Sequence, residues 1–543
     1  MTNPTLHNHD SIPHLRKQGS ATQLFVKGRP YLVIGGELRN SSASSLGFME
    51  PIWERLTALE LNTVLATVSW ELVEPEEGTF DFALVDGLIH QARDHGLHLV
   101  LLWFGSWKNG MSSYAPAWVK RDYRRFPRVQ VGAGQKVEIL STIGPETCSA
   151  DAKAFAALMR HLKEIDGREH TVIMIQVQNE VGVLGDSRDR SAGANQAFAG
   201  PVPSELMAYM QQHSSELGPD LYQRWRANGF KTKGSWEEVF GCGLETDELF
   251  MAWHYARYIE TIAAAGKAEY PLPMFVNAWL SSLGSAPGGW ASGGRKPGEW
   301  PSGGPLPHSL DVWQAGAPHI DFLSPDIYAP NFKAWCQAYT RRGNPLFIPE
   351  MRRGEDGARQ VFYALGEHDA MGVSPFAIDS IELSEDNPLL RSYVVLRQLA
   401  PQILEHQGDQ TMIGFLLDEE QPSITRELGG YELEIALDQG FGQMAEHGGG
   451  LIIAVGPDEF LGAGFGFRVR FKGLPPGPEL AGIAAADEGR YQNGHWVPRR
   501  RMNGDETAQG NWWRLIDYQA RDGRPFSNVL ATGIGRCTVY RYE

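Results

Sequence analysis

Ile175-Gln176-Val177-Gln178-Asn179-Glu180-Val181-Gly182 is an apolar run that ends in an Asn-Glu pair. Polar side chains at the end of a buried strand are costly unless they meet a ligand or one another. Alone, the pair fits a reactive site or a structural carboxylate bonded to loop amides equally well. Pro345-Leu346-Phe347-Ile348-Pro349-Glu350-Met351 has the same form. It is a short apolar run that ends in Glu, with Pro349 withholding a ladder donor where a strand stops.

Outward from these two stretches, short apolar runs alternate with amphipathic ones, the pattern of repeated βα units. Strands are predicted over 31–38, 63–70, 98–105, 172–180, 274–280, 322–328, 346–351 and 373–379. These make eight, the number a closed barrel requires, and they are apolar nearly throughout, as parallel strands covered by helices are. Helical periodicity falls between them, over 49–60, 83–95, 152–165, 246–265, 333–341, 358–368 and 389–404. In this count Glu180 ends the fourth strand and Glu350 the seventh, so both face the C-terminal mouth of one barrel.

After about residue 405 the helical period stops. Strand-like runs follow at 412–417, 431–436, 450–455, 465–471, 512–518 and 537–542, separated by turn residues. The expected fold is α/β: a (β/α)8 TIM barrel over 23–405, followed by a smaller all-β, sandwich-like domain over 406–543. Residues 1–22 are polar and are expected to form a loose tail. Three links, at about 106–150, 181–245 and 281–310, are long for βα loops and belong at the mouth of the barrel. The third is rich in Gly and Pro and carries Trp290 and Trp300; it reads equally as a wall or lid over the site or as an ordinary surface excursion pinned by its aromatics.

Composition narrows the chemistry. The 543 residues carry a formal net charge of -16, which gives no basic footprint for nucleic acid. An acidic protein with 16 Trp suits a neutral polyol such as a carbohydrate, although most Trp pack cores and loops. Cys148, Cys242, Cys336 and Cys537 show no CxxC spacing, so no metal or redox motif is expected. Neither a membrane-spanning run nor the apolar core of a secretory signal occurs. A cytoplasmic protein is the expectation, or a periplasmic or secreted one if a signal was removed. Gly462-Ala463-Gly464-Phe465-Gly466 imitates a dinucleotide loop but has no helix after it.

Glycoside cleavage with retention needs one carboxylic acid to protonate the leaving oxygen and a second, ionised, about 5–5.5 Å away to attack the anomeric carbon. Glu180 suits the first role and Glu350 the second, with Asn179 placed to bond the sugar 2-hydroxyl. Asn-Glu ending strand four with Glu ending strand seven resembles the large barrel clan of retaining glycosidases. Within it the chain resembles glycoside hydrolase family 35, the β-galactosidases, with some likeness to family 42. The stretches that carry this are Gly35-Gly36-Glu37-Leu38-Arg39, residues 70–82 and the Ile175–Gly182 phrase. The resemblance spans roughly residues 24 to 400, and the β-rich tail resembles the accessory domain of a bacterial branch of family 35.

The resemblance implies an exo-acting, retaining β-galactosidase with no cofactor or metal, working on a carbohydrate that includes plant-derived oligosaccharides such as xyloglucan fragments. It departs from the family-35 pattern at Val181, where Tyr is common, and at Trp103–Gly110, where a Cys-Ala-Glu-Trp phrase is common. β-Glucosidase, arabinosidase and mannosidase activities therefore stay open, as does a non-catalytic sugar-binding barrel. Further substrate contacts are expected from Glu37 and Arg39 at strand one, Trp70 at strand two, Asn109 after strand three, Trp279 at strand five and Tyr328 at strand six. Arg39 would steady the nucleophile or pair with Glu37; Tyr328 resembles the clan tyrosine that donates to the nucleophile. Homo-oligomerisation is left open.

Overall fold

The computed structural model describes residues 12–282, 293–440, 443–492, 494–502, 504–515 and 533–543. Eight parallel strands close into a barrel: β1 (Val33–Glu37), β2 (Thr63–Ser69), β3 (His98–Phe104), β4 (Val172–Val177), β5 (Met274–Trp279), β6 (Phe322–Ile327), β7 (Phe347–Met351) and β8 (Gly372–Pro375). Each is followed by a helix: α1 (Leu46–Ala58), α2 (Ala83–Asp94), α3 (Pro145–Asp166), α4 (Leu244–Glu269), α5 (Leu310–Gly316), α6 (Phe332–Tyr339), α7 (Glu355–His368) and α8 (Pro388–His406). The eight predicted strands are therefore present in order. Of these eight helices, the short α5 is the one that periodicity did not find, because seven residues are too few to show a 3.6-residue repeat. The short helices Ala192–Ala199, Ser204–Gln212, Pro219–Ala227 and Trp236–Phe240 in the second long link were likewise not predicted.

Side chains alternate across each strand. On β3, Leu99, Leu101 and Trp103 join the core under the helices, while Val100, Leu102 and Phe104 fill the barrel interior. The interior is layered. At the bottom, Phe275 stacks on Phe322 at 5.1 Å and meets Phe347 edge-on at 5.3 Å. Above them lies a buried polar layer of Gln176, Asn277, Ser324 and Ser374. Above that sit Glu37, Asp326 and Glu350 at the strand ends.

Glu350 reaches this top layer through a bulge. Phe347 points inward, and Ile348 and Met351 both point out to the helices. Two residues, Pro349 and Glu350, therefore separate two outward side chains, and the register against β8 shifts there. Strict alternation would have turned Glu350 away from the interior; the extra residue turns it in.

The expected N-terminal tail is corrected from residue 12 onward; residues 1–11 of it lie outside the described residues. His14–Gln18, Ala21–Val26 and Arg29–Tyr31 form a three-stranded antiparallel sheet. Leu24 and Val26 enter the same buried cluster as the barrel-interior residues and plug its lower end. His14–Gln18 looks like a tail because it is a solvent-facing edge strand, held by backbone pairing rather than by buried side chains. A polar composition does not register that kind of order.

Beyond α8 the chain is all β. A six-stranded sheet, in the order Met412–Leu417, Gly448–Gly456, Glu459–Phe465, Gly533–Tyr542, Leu480–Gln492 and His495–Met502, faces a four-stranded one. The latter contains Ser423–Leu428, Tyr431–Leu437, Phe467–Gly473 and Trp513–Arg514. Phe415, Ile452, Phe460, Phe467, Phe471 and Trp513 fill the space between them, as in a sandwich. Over Gly448–Gly456 and Glu459–Phe465 the outer face of the larger sheet packs on the barrel, where Leu451, Ile453 and Leu461 join the barrel's own core. The dinucleotide-like glycines lie in this sheet and its following turn, with no helix after them. No helix among the described residues is long and apolar enough to cross a membrane.

The seam between barrel and sandwich depends on close approach at Gly366 of α7. A Cβ there would stand 2.8 Å from Leu451 Cβ, 2.9 Å from Gly414 Cα and 2.9 Å from the Ile413 carbonyl oxygen. Gly to Ala in an exposed helix gains up to about 1 kcal/mol. Gly366→Ala is expected to have the opposite sign, losing about 1–3 kcal/mol to overpacking, read as a lower urea midpoint. A raised midpoint would mean that the seam has room to spare.

Candidate active site

The turn after β4 carries the Asn-Glu pair in a strained backbone. Gln178 and Glu180 both adopt left-handed conformations, with φ of 65° and 46°. Such residues cost on the order of 1 kcal/mol each and persist where neighbours over-determine them. Here the Gln178 N–H donates to the Trp103 carbonyl at 3.0 Å, and the Glu180 N–H to Asn277 Oδ1 at 3.0 Å. Gln178 Nε2 donates to Asp151 Oδ2 at 2.8 Å.

Asp151, on α3, ties this turn to the one after β3. It also accepts from Trp103 Nε1 at 2.8 Å, from the Ser106 N–H at 3.0 Å and from Ser106 Oγ at 2.6 Å. Burial pushes its carboxyl up to about 6 against those donors. The β3 loop then closes with reciprocal backbone bonds between Lys108 and Met111, at 2.8 and 2.9 Å, with Asn109 and Gly110 left-handed between them. Lys108 and Asn109 are thereby aimed at the mouth.

Four carboxyls converge there. One oxygen from each of Glu180, Asp326 and Glu350 lies within 4.8 Å of the others. Glu37 is fully buried, with neither oxygen hydrogen-bonded, and it interacts electrostatically with Glu350, Lys108 and Glu180. Glu350 accepts from Tyr328 Oη at 2.8 Å and from Asn179 Nδ2 at 3.3 Å, and the Lys108 ammonium stands 4.0 Å from its Oε1. Glu180 accepts from Asn109 Nδ2. Three carboxyl oxygens this close also have the spacing of a cation site; here the Lys108 ammonium already supplies the positive charge beside them.

The environments differ. Burial, then Glu350, push the Glu180 carboxyl up to about 7, with Lys108 and Asn109 opposing. Burial, then Glu350, hold Glu37 well above the usual carboxylate range. Burial alone would lower the Lys108 ammonium; Glu350, Glu180, Glu37 and Asp326 outweigh it and raise it. Burial and Glu350 likewise raise the Tyr328 hydroxyl, keeping it a donor.

Of the residues picked out in the sequence, Glu180, Glu350, Asn179, Asn109, Tyr328 and Glu37 are brought together. Trp279 ends β5 half-buried, with an indole N–H that has no partner. Two others are not part of this cluster. Trp70 is fully buried, donates to Glu74 Oε2 at 2.8 Å and packs edge-on against Trp118, so it has no face to offer a sugar. Arg39 turns away from both Glu37 and Glu350 and pairs with Asp379 at 3.2 Å. Asp379 is buried and also takes the Ser42 hydroxyl at 2.7 Å, a stronger anchor than the crowded mouth.

Lys108, Asp326 and Asn277 were missed. Asp326 sits in Ser324-Pro325-Asp326, whose alternation with Phe322 already placed it inward; an acid two residues after an inward Ser was the available signal. In the third long link, Trp290 lies outside the described residues. Trp300 is buried and donates to Glu248 at 2.7 Å, while Ser302 and Val183 exchange backbone bonds at 2.9 Å. From residue 293 onward this link is packed wall, not a lid.

A family model described as β-galactosidase, glycoside hydrolase family 42, matches residues 48–241. The match runs from α1 through the turn that holds Asn179-Glu180 and stops short of Glu350. It falls to family 42, the lesser likeness in the sequence, rather than to family 35. A second model, a domain of unknown function (DUF5597), matches residues 389–514, from the start of α8 into the sandwich. The β-galactosidase of Xanthomonas manihotis is 29% identical over 189 residues, 33% of this chain and 28% of that protein.

Among solved structures, a β-galactosidase from Marinomonas ef1 aligns with a TM-score of 0.44 and 12% identity, covering 69% of this chain and 62% of its own. One from Bacillus circulans aligns with a TM-score of 0.43 and 14% identity, covering 70% and 57%. The chain thus spans less than two thirds of the length of these relatives.

The electrostatics give a signed expectation. Lys108→Met removes the charge that favours ionised Glu180. The Glu180 midpoint should move up from about 7, by about one pH unit or more, in an isotope-edited infrared titration of labelled glutamate. An unchanged or lowered midpoint contradicts the placement of Lys108.

Proposed function

We propose that the protein is a retaining glycoside hydrolase that releases terminal β-D-galactose from β-galactosides. The observation that carries this reading is the pair Glu180 and Glu350. They stand after β4 and on β7 of one barrel with oxygens within 4.8 Å; burial and Glu350 push Glu180 up to about 7, while Tyr328, Asn179 and Lys108 gather on Glu350. An inverting enzyme needs roughly 6.5–9.5 Å between its carboxyls to admit a water; oxygens within 4.8 Å of each other favour the closer pairing of direct attack.

Glu350, with Tyr328, Asn179 and Lys108 gathered on it, attacks the anomeric carbon as a carboxylate. Glu180, poised near 7, carries the proton that the leaving oxygen takes. After departure of the aglycone, Glu180 removes a proton from water, which cleaves the glycosyl–Glu350 ester and returns both groups to their starting forms. Asn179 lies beside the nucleophile, where its amide can turn to the sugar 2-hydroxyl. Glu37, with both oxygens unpaired, and Trp279, with a free N–H, are the groups left for the remaining hydroxyls and the sugar face.

Galactose as the sugar is supported by the family-42 match and by the Xanthomonas manihotis relative. Family 42 is the branch that a match carries, and the family-35 likeness adds only the clan's catalytic pair. A panel of nitrophenyl glycosides tests the sugar: highest kcat/KM is expected on the β-galactoside, and preference for the glucoside, arabinoside or mannoside would reject that part.

The catalytic pair has its own test. Glu350→Gly should lose about 10³-fold or more in kcat, and azide should restore turnover with an α-galactosyl azide product. Glu180→Ala with azide should give the β-azide instead. Wild-type turnover in either variant would reject the assignment. Because Glu180 must be protonated to act as the acid, kcat/KM should fall as pH rises through about 7.

A further inference from the structure

Asp326 has no part in the two-carboxylate cycle, yet it occupies the centre of the cluster. On the β6–β7 ladder it stands directly beside Glu350, so the two carboxyls are lateral neighbours on one face. Its Oδ2 accepts from Asn277 Nδ2 at 2.5 Å, and Asn277 Oδ1 in turn accepts the Glu180 N–H at 3.0 Å. Its other oxygen is buried and takes no hydrogen bond from a donor group. Glu180 and Glu350 each bring a carboxyl oxygen within 4.8 Å of Asp326, and its side-chain hydrogen bond among these acids is with Glu180. Two carboxyl oxygens that meet without a donor between them repel unless one carries a proton.

The surroundings say which one. Around Asp326 stand Glu350 on β7, Glu180 after β4, Glu37 on β1, the Lys108 ammonium after β3, and the hydroxyls of Tyr328 and Tyr339. Lys108 approaches Glu350 at 4.0 Å, and Tyr328 donates to Glu350. The donors are thus spent on Glu350, and Asp326 is left with one amide among three acids. We propose that Asp326 is a positioning residue that stays protonated through the reaction and donates its O–H to Glu180.

This rests on the glycosidase reading above and adds a third carboxyl to it. In the first step Glu180 gives its own proton to the leaving oxygen and becomes a carboxylate. The Asp326 O–H then donates to that carboxylate and keeps its proton. In the second step Glu180 recovers a proton from the attacking water. Asp326 gains and loses nothing; it fixes the direction of Glu180 and steadies its anion. Burial and Glu350, with the bond to Glu180, raise the Asp326 carboxyl well above the usual range, in the same direction.

The test separates this proton from the activity. Wild type and Asp326→Asn are compared by difference infrared spectroscopy at about pH 8 without substrate. The expected result is loss of a protonated-carboxyl C=O band; loss of a carboxylate band instead overturns the proposal. This holds whether or not any galactoside is turned over. If Asp326→Asn does not fold, wild type carrying isotope-labelled aspartate serves at the same pH. There Asp151 and Asp369, both at about 6, are ionised, and a labelled protonated-carboxyl band should persist. Its absence overturns the proposal.

The kinetic arm reads the donor itself. Asp326→Asn keeps a neutral donor, and the basic limb of its kcat/KM profile should stay near pH 7. Asp326→Ala removes the donor, and its limb should move up by about one pH unit. A downward shift in Asp326→Asn, as loss of a negative charge would give, contradicts a protonated Asp326. An unmoved limb in Asp326→Ala reduces the residue to a structural one.

Discussion

Four carboxyls crowd around one ammonium at the mouth of a closed barrel, and the site's chemistry follows from the impossibility of ionising all of them. Like charges at these separations in a buried setting drive protons onto some members of the set. The arrangement decides which. Tyr328, Asn179 and Lys108 converge on Glu350 and supply it with two hydrogen-bond donors and a nearby positive charge. Glu180, with one amide donor and burial, is left near the neutral pH range, and Glu37 and Asp326 are pushed well above the usual carboxylate range. An acid and a nucleophile are made from chemically identical side chains by allotting donors unequally.

The barrel maintains that allotment from below and from outside. The stacked Phe275, Phe322 and Phe347 and the N-terminal plug of Leu24 and Val26 keep water out of the floor. Asp151 gathers the two turns that carry Lys108, Asn109, Asn179 and Glu180 through four hydrogen bonds, so that two left-handed residues are held in place. The bulge at Pro349-Glu350 supplies the one inward turn that alternation would have denied. The sandwich braces this frame at α7 through glycine contacts that admit no side chain.

Much of this was legible in the sequence, for identifiable reasons. Parallel barrel strands are apolar throughout, so eight such runs count themselves, and the two glutamates fall on strands four and seven without any side-chain geometry. Tyr328 followed from its position at a strand end, and Asn109 from its place in the loop after strand three. Trp70 and Arg39 did not, because a strand end specifies a rim position but not a rotamer. Trp70 found Glu74 four residues on, and Arg39 found a buried Asp379 across the barrel. Lys108 was hidden in a loop, where no period places a side chain, while Asp326 was readable only from its alternation with Phe322 and Ser324 on an otherwise apolar strand. The edge strand at His14–Gln18 is ordered by backbone pairing, to which polarity is blind.

The division of roles between Glu180 and Glu350 is tested most directly by trapping the covalent intermediate. The protein is incubated with a 2-deoxy-2-fluoro-β-galactosyl fluoride, digested, and the labelled peptide sequenced by mass spectrometry. The fluorosugar should be found on Glu350, one per chain, and should be lost on incubation with an acceptor as activity returns. A label on Glu180, Asp326 or Glu37, or steady hydrolysis of β-galactosides with no residue ever labelled, would contradict the account.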